Sequence, residues 1–250
     1  MANFFTTIFY QPILNLLIYL YNTISFHDFG LAIVFLTIIL KILLWPLGRS
    51  AIKSQKSLQD LQPKLDELKK KYSDNKAELS RATMDLYKEN KVNPFSSCLP
   101  LLIQLPFLIA VYRVFRDGVN NKLDYVYGFI AKPETINLVS FGFLDLGKPN
   151  IALAVLAGLA QFWQAKMMVT KQPAIKTPGS KDESMSAIMN KQMLYFMPAI
   201  TIFIGISLPG GLTLYWFVLT VATALQQLIT FRKSKPAATE SKTIEGSVVK

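Results

Sequence analysis

Lys41 carries the most unusual chemistry in this sequence. It stands between two apolar runs, Leu31 to Leu40 and Ile42 to Leu47, and a lysine at the centre of a membrane-spanning helix costs roughly 2.5 to 3.5 kcal/mol to insert. Its ammonium can attract an anion or an acidic peptide segment, or it can snorkel to a membrane surface. Arg49 follows eight residues later, about 12 Å along a helix at roughly 1.5 Å per residue, so an interface is within reach of the lysine stem. The other reading is a water-containing cavity. Thr37 one turn before Lys41, together with Gln104, Gln161, Gln164, Thr220 and Gln226, places polar groups in segments that lipid would reject. Each amide alone is an ordinary interhelical hydrogen bond, whereas together they can line a groove. No acidic residue lies deep in an apolar segment, so Lys41 needs hydration or a polar ligand. Spacing leaves both readings open.

Other chemistries fare less well. The one histidine, His27, falls at the edge of an apolar segment and reads as an interfacial residue, with no second histidine for zinc and no serine partner placed for a dyad. Cys98 is the one cysteine, so neither an intramolecular disulfide nor a multi-cysteine metal site is available. Paired intramembrane carboxylates, a phosphate-cradling glycine loop and a dinucleotide fingerprint are missing. A Ser and Lys dyad on Lys41 finds no serine with a suitable spacing. The expectation is a protein that is not an enzyme, with no catalytic residue, metal or cofactor.

The elements that must position these residues follow from hydropathy. Of 250 residues, 51% are hydrophobic, and residues 95 to 112, 149 to 165 and 192 to 231 carry no charge. A helix needs roughly 17 to 25 residues to cross a bilayer, so the last stretch can cross twice. Pro209, Gly210 and Gly211 divide it. The expected fold is an all-α polytopic membrane protein with five transmembrane helices, at about 28–48, 95–115, 150–168, 192–208 and 212–231, around a hydrophilic groove. The net charge of +11 sits between apolar segments, which points to anionic lipid headgroups and ribosomal RNA as counterparts and away from DNA.

Lys and Arg number 11 from Arg49 to Lys91, five from Lys166 to Lys191 and five from Arg232 onward, against none in residues 1–27. The positive-inside rule then places those three regions in the cytoplasm and the N-terminus outside. Within residues 1–27, Thr7, Gln11, Asn15, Tyr19 and Asn22 recur at helical spacing and draw a polar stripe, so an extracytoplasmic interfacial amphipathic helix is expected, with a sixth span or an uncleaved signal as the alternatives. In the loop 50–92, Leu58, Leu61, Leu65, Leu68 and Tyr72, then Leu79, Ala82 and Leu86, step at threes and fours on either side of a Ser73-Asp74-Asn75 turn signal. That predicts a cytoplasmic helical hairpin, with a helix start or kink at Pro63. It can be a solvated spacer or a docking arm. The stretch 166–191, with Pro173, Pro178 and Gly179, reads as a mobile loop, and 233–250 as a disordered cytoplasmic tail.

One longer motif carries a resemblance. Leu86-Tyr87-Lys88-Glu89-Asn90-Lys91-Val92-Asn93-Pro94-Phe95-Ser96-Ser97-Cys98-Leu99-Pro100-Leu101-Leu102-Ile103-Gln104-Leu105-Pro106-Phe107 resembles the signature entering the second core span of the YidC/Oxa1/Alb3 family of membrane protein insertases. Leu61-Gln62-Pro63, Gln164-Ala165-Lys166-Met167, Met197-Pro198 and the run from Pro209 to Trp216 resemble further family motifs. The similarity extends from about Tyr10 to Arg232. It implies a five-helix insertase core at 28–232, with a groove open to the cytoplasm and to lipid but closed toward the outside, and a cation on the first core span at the place of Lys41. By the same resemblance Gln164, Tyr215 and Trp216 line the groove, beside Thr37 and Gln104. Three positions depart from the pattern: Lys41 where arginine is usual, Ser97 where glycine is common, and Thr220 where asparagine often follows the Leu-Tyr-Trp run. The chain resembles the short form of the family, lacking the large extracytoplasmic domain of some bacterial members.

The function implied is a membrane protein insertase and chaperone in the bacterial cell (inner) membrane. Its expected partners are nascent membrane proteins, the ribosome, a Sec-type translocon, the signal recognition particle receptor and membrane lipids. Two other classes compete on the residues alone. An anion or solute transporter would use Lys41 as its binding site, but no internal repeat supports it. A structural scaffold would turn the groove amides toward neighbouring helices and exclude water.

Overall fold

The computed structural model describes residues 4–73, 75–93, 99–119, 123–168 and 191–233. Pro94 to Cys98 of the signature, the loop 169–190 and the tail from 234 lie outside them.

A π-helical turn, Thr6–Tyr10, runs into α1, Gln11–Thr23. Helix α2, Phe29–Leu43, starts where the Asp28 side chain accepts the Leu31 amide at 3.0 Å, which supplies one of the orphan donors of a first turn. At 15 residues it is about 22 Å long, short of a hydrocarbon core of roughly 30 Å. Helix α3, Trp45–Asp60, continues the chain after a 69° bend. Pro46, which has no amide hydrogen to donate, accounts for that bend and for the end of α2 ahead of the expected Gly48. Helix α4, Gln62–Lys71, begins with Pro63 in its first turn, and α5, Lys76–Glu89, is capped by the Asn75 side chain on the Glu78 amide. The two helices touch.

Helix α6, Leu99–Val119, holds Pro106 in its interior. Between it and α7, Ile151–Met168, the chain forms a short antiparallel hairpin of β1, Val139–Ser140, and β2, Leu144–Asp145. A second π-helical turn, Gln192–Phe196, enters α8, Met197–Ser207. Leu208 is extended, Pro209 cannot continue the helix, and α9 runs from Gly210 to Lys233. By length and apolar composition α7 and α9 can each cross a membrane, and the bent pair α2–α3 is a third candidate.

Apolar side chains fill the interior and also stand on the outer helix faces. Leu14, Leu17, Ile18 and Tyr21 of α1 join Phe29, Ile33 and Leu36 of α2 and Val111, Val114 and Phe115 of α6 in one buried cluster. Phe29 and Phe115 meet edge-on with centroids 5.5 Å apart. Leu159, Phe203, Leu228 and Ile229 instead stand exposed on α7, α8 and α9. Small residues bring α7 and α8 close: a methyl on Gly205 would lie 2.9 Å from Ala154 Cβ, and one on Gly158 would run into Ile202.

The polar stripe of α1 has a partner in the protein. Gln11 and Asn15 donate to the Tyr125 carbonyl, Asn15 Oδ1 accepts the Tyr127 amide at 2.7 Å, and Asn22 donates to the Ala131 carbonyl. Regular amide spacing on one helix face thus serves the unpaired backbone of an irregular connection.

Candidate functional site

Helices α2, α3, α6, α7 and α9 meet around Lys41. Its half-buried side chain, from α2, donates from Nζ to Thr223 Oγ1 of α9 at 2.8 Å. The Thr223 hydroxyl in turn donates to the Leu219 carbonyl of its own helix at 2.7 Å. Beside this pair lies a cavity of about 330 Å³. Of the candidates named in the sequence, Thr37, Lys41, Gln104, Gln164, Tyr215, Trp216, Thr220 and Gln226 line it and Gln161 does not.

Each has a definite tie or freedom. Thr37 is fully buried and donates to the Ile33 carbonyl, so it lends the wall polarity without a spare proton. Gln104 of α6 donates from Nε2 to the Tyr215 hydroxyl at 2.7 Å, which holds the buried phenol of α9 against α6. Gln164 of α7 and Trp216 of α9 are both partly exposed on the cavity wall. Gln161 behaves differently. Its Oε1 accepts the Thr201 hydroxyl between α7 and α8, and it does not line the cavity.

Further residues complete the wall. Trp216, Thr220, Thr223 and Gln227 step along α9 by four, three and four and all face the cavity. That period was available in the sequence, but Thr223 and Gln227 were not singled out. The first turns of α3, after the bend, add Gly48, Ala51, Ile52 and Gln55. Gln226 of α9 closes this end: its Nε2 donates to the Trp45 carbonyl at 3.0 Å, and Gly48 makes room, since a Cβ there would sit 2.9 Å from Gln226 Oε1. Gln226 and Gln227 are buried, and neither Oε1 has a hydrogen-bond partner among the described residues. A buried acceptor without a donor is costly, so both favour a polar group entering the cavity.

The lining sets what the cavity offers chemically. Among the described residues no Asp or Glu lines the cavity, so the groups that meet the ammonium there are neutral. Lys41 and Thr223 have dyad geometry, yet the threonine proton is already given to a helical carbonyl, and continuous helix offers no free backbone amides for an oxyanion. Among the described residues no three His, Cys, Asp or Glu side chains gather for a metal.

Comparison with known proteins adds the following. The family model of the 60Kd inner membrane protein matches residues 19–238. A protein named membrane protein insertase YidC from Syntrophus aciditrophicus is 36% identical over 217 residues, covering 87% of this chain and 35% of that protein. One of the same name from Fusobacterium nucleatum is 34% identical over 227 residues, 90% of this chain and 97% of that protein. Another from Geotalea daltonii is 34% identical, with 91% of this chain and 38% of that protein covered. The chain therefore spans little over a third of the first and third relatives and nearly all of the second.

Proposed function

The chain belongs to the 60Kd inner membrane protein family, that of the YidC insertases, and from this we propose that it inserts and chaperones other membrane proteins by way of the Lys41 cavity. The observation that carries the reading is a cation in a polar cavity, with no acidic side chain lining it among the described residues, between helices whose outer faces are apolar.

In this reading α2 with the start of α3, α6, α7, the α8 segment and α9 are five spans of a multi-pass protein of the bacterial inner membrane. The N-terminus lies outside, and the α4–α5 hairpin and the C-terminus are cytoplasmic. A short hydrophilic segment of a nascent membrane protein enters the cavity, where Gln104, Gln164 and the buried amides replace part of its hydration. Lys41 draws its acidic residues: a unit charge about 8 Å away gains roughly 2 kcal/mol at an effective dielectric constant of about 20. Apolar parts of the same chain pass into lipid. The hairpin suits docking of the ribosome, a Sec-type translocon or the signal recognition particle receptor.

The test is a charge series at Lys41 in cells depleted of their own insertase. Lys41→Arg keeps insertion of a client whose translocated segment is acidic, Lys41→Ala slows it by roughly an order of magnitude or more, and Lys41→Glu slows it further, as the Coulomb figure requires. Normal insertion by the Lys41→Glu variant would remove the electrostatic role. Solute flux through reconstituted vesicles, lost on Lys41→Ala, would mark a transporter instead.

A further inference from the structure

Two turns at one end of the helices share an unusual construction. Ser25 to Asp28 is closed by the Asp28 amide on the Ser25 carbonyl at 2.8 Å, and its central residues, Phe26 and His27, have φ of 52° and 62°. Ser140 to Phe143, at the tip of the β1–β2 hairpin, is closed by the Phe143 amide on the Ser140 carbonyl, and its central residues, Phe141 and Gly142, have φ of 55° and 79°. Turns with positive φ at both central positions favour Asn, Asp or Gly, and a bulky residue there is strained. Each turn nevertheless puts phenylalanine at its first central position. Their rings are not drawn into the core: Phe26 is 90% exposed, Phe141 45%, and Phe143, next to the strained pair, 83%.

The two turns are joined, and their level is fixed. Asp28 Oδ2 accepts the Phe141 amide at 2.7 Å while its other oxygen caps α2. The Gly30 amide, in the first turn of α2, donates to the buried Ser140 hydroxyl. Gly210 and Gly211, at the start of α9, donate to the carbonyls of Lys148 and Leu146 just after β2. Phe26, Phe141 and Phe143 are thus held where α2 and α9 begin. For helices that cross a bilayer, that level is the boundary between acyl chains and headgroups, where amphipathic and aromatic groups concentrate.

We propose that Phe26, Phe141 and Phe143 form a rigid anchor that dips into the outer-leaflet lipid at the ends of α2 and α9. It fixes the height of the cavity in the bilayer. The proposal rests on the membrane-spanning reading of the chain and not on insertion activity. The test is the depth of nitroxide labels on Phe26→Cys and Phe143→Cys, each in the full chain with Cys98→Ser, reconstituted in phosphatidylcholine vesicles. Glu134→Cys, exposed in the same connection, is the aqueous reference. The expected result is oxygen collision several-fold above that of a water-soluble nickel chelate at 26 and 143, and the reverse at 134. Nickel accessibility at 26 and 143 equal to that at 134 would overturn the anchor. So would protection from both reagents, which would point to a protein neighbour in place of lipid. Depth is read without any client, so an anchor that fails and an insertase that fails give different results.

Discussion

At the scale of single residues, the hydroxyl facing Lys41 is the most informative contact. Thr223 accepts from the ammonium and donates to the Leu219 carbonyl, so it anchors the cation in a known direction without neutralising it. Thr223→Val keeps the shape of the side chain and removes the acceptor. The lysine is then held by water and by whatever client enters. Hydrogen bonds to charged groups contribute about 1.5 to 3 kcal/mol when solvent does not replace them. In a wet cavity the loss is smaller, roughly 1 kcal/mol or about fivefold in the insertion rate of an acidic client. The check is a double-mutant cycle: in a Lys41→Ala background Thr223→Val has no further effect if the hydroxyl acts through the lysine. An equal loss in both backgrounds would assign Thr223 to helix packing. Lys41, Gln104 and Gln164 were legible in the sequence because a polar side chain in an uncharged stretch is conspicuous. Thr223 was not, because a threonine in an apolar helix is routinely satisfied by its own i−4 carbonyl and so carries no alarm.

At the scale of elements, the helix faces were harder to read than the helices themselves. Gln161 and Gln164 are three residues apart on α7, yet one bonds α8 and the other faces the cavity. Alternation of polar and apolar residues cannot separate them, since α7 is apolar nearly all round and its outer face meets lipid of the same character as its neighbours. What sets the face is size. Ala154 and Gly158 turn toward α8, where Gly205, Ile202 and the Pro198 carbonyl lie close, the last 3.1 Å from the position of a Cβ on Gly158. Gly158→Ala must therefore push Ile202 or the α8 backbone aside, at a cost of about 1 to 3 kcal/mol typical of overpacked sites. Thermal unfolding in detergent micelles should register the drop. An unchanged midpoint would mean that α7 and α8 can separate freely. The β1–β2 hairpin was missed for another reason: phenylalanine at a left-handed position sends no turn signal, and both turns rely on tertiary ties to Asp28 and Ser140.

At the scale of the whole molecule, the bend at Leu44 decides how the cavity relates to the cytoplasmic arm. Because α3 leaves α2 at 69°, its first turns form part of the wall, and Gln226 pins the corner through the Trp45 carbonyl. Lys56 of α3 also lies over the Phe231 ring of α9, 4.9 Å from its centroid. The start of the hairpin arm is therefore built into the site, and at the opposite end the β1–β2 connection is bonded to the first turns of α2 and α9. In the proposed reading the cavity opens toward the arm. In vesicles of known orientation, with Cys98→Ser as background, a membrane-impermeant maleimide should reach Gln104→Cys and Gln164→Cys from the side that bears the α4–α5 hairpin. It should reach Glu134→Cys from the other side alone, and Gln161→Cys from neither. Labelling of Gln161→Cys as fast as Gln164→Cys would refute the assignment of the α7 faces. Labelling of Gln164→Cys from the Glu134 side would show a channel through the membrane, and with it a transporter in place of a one-sided groove.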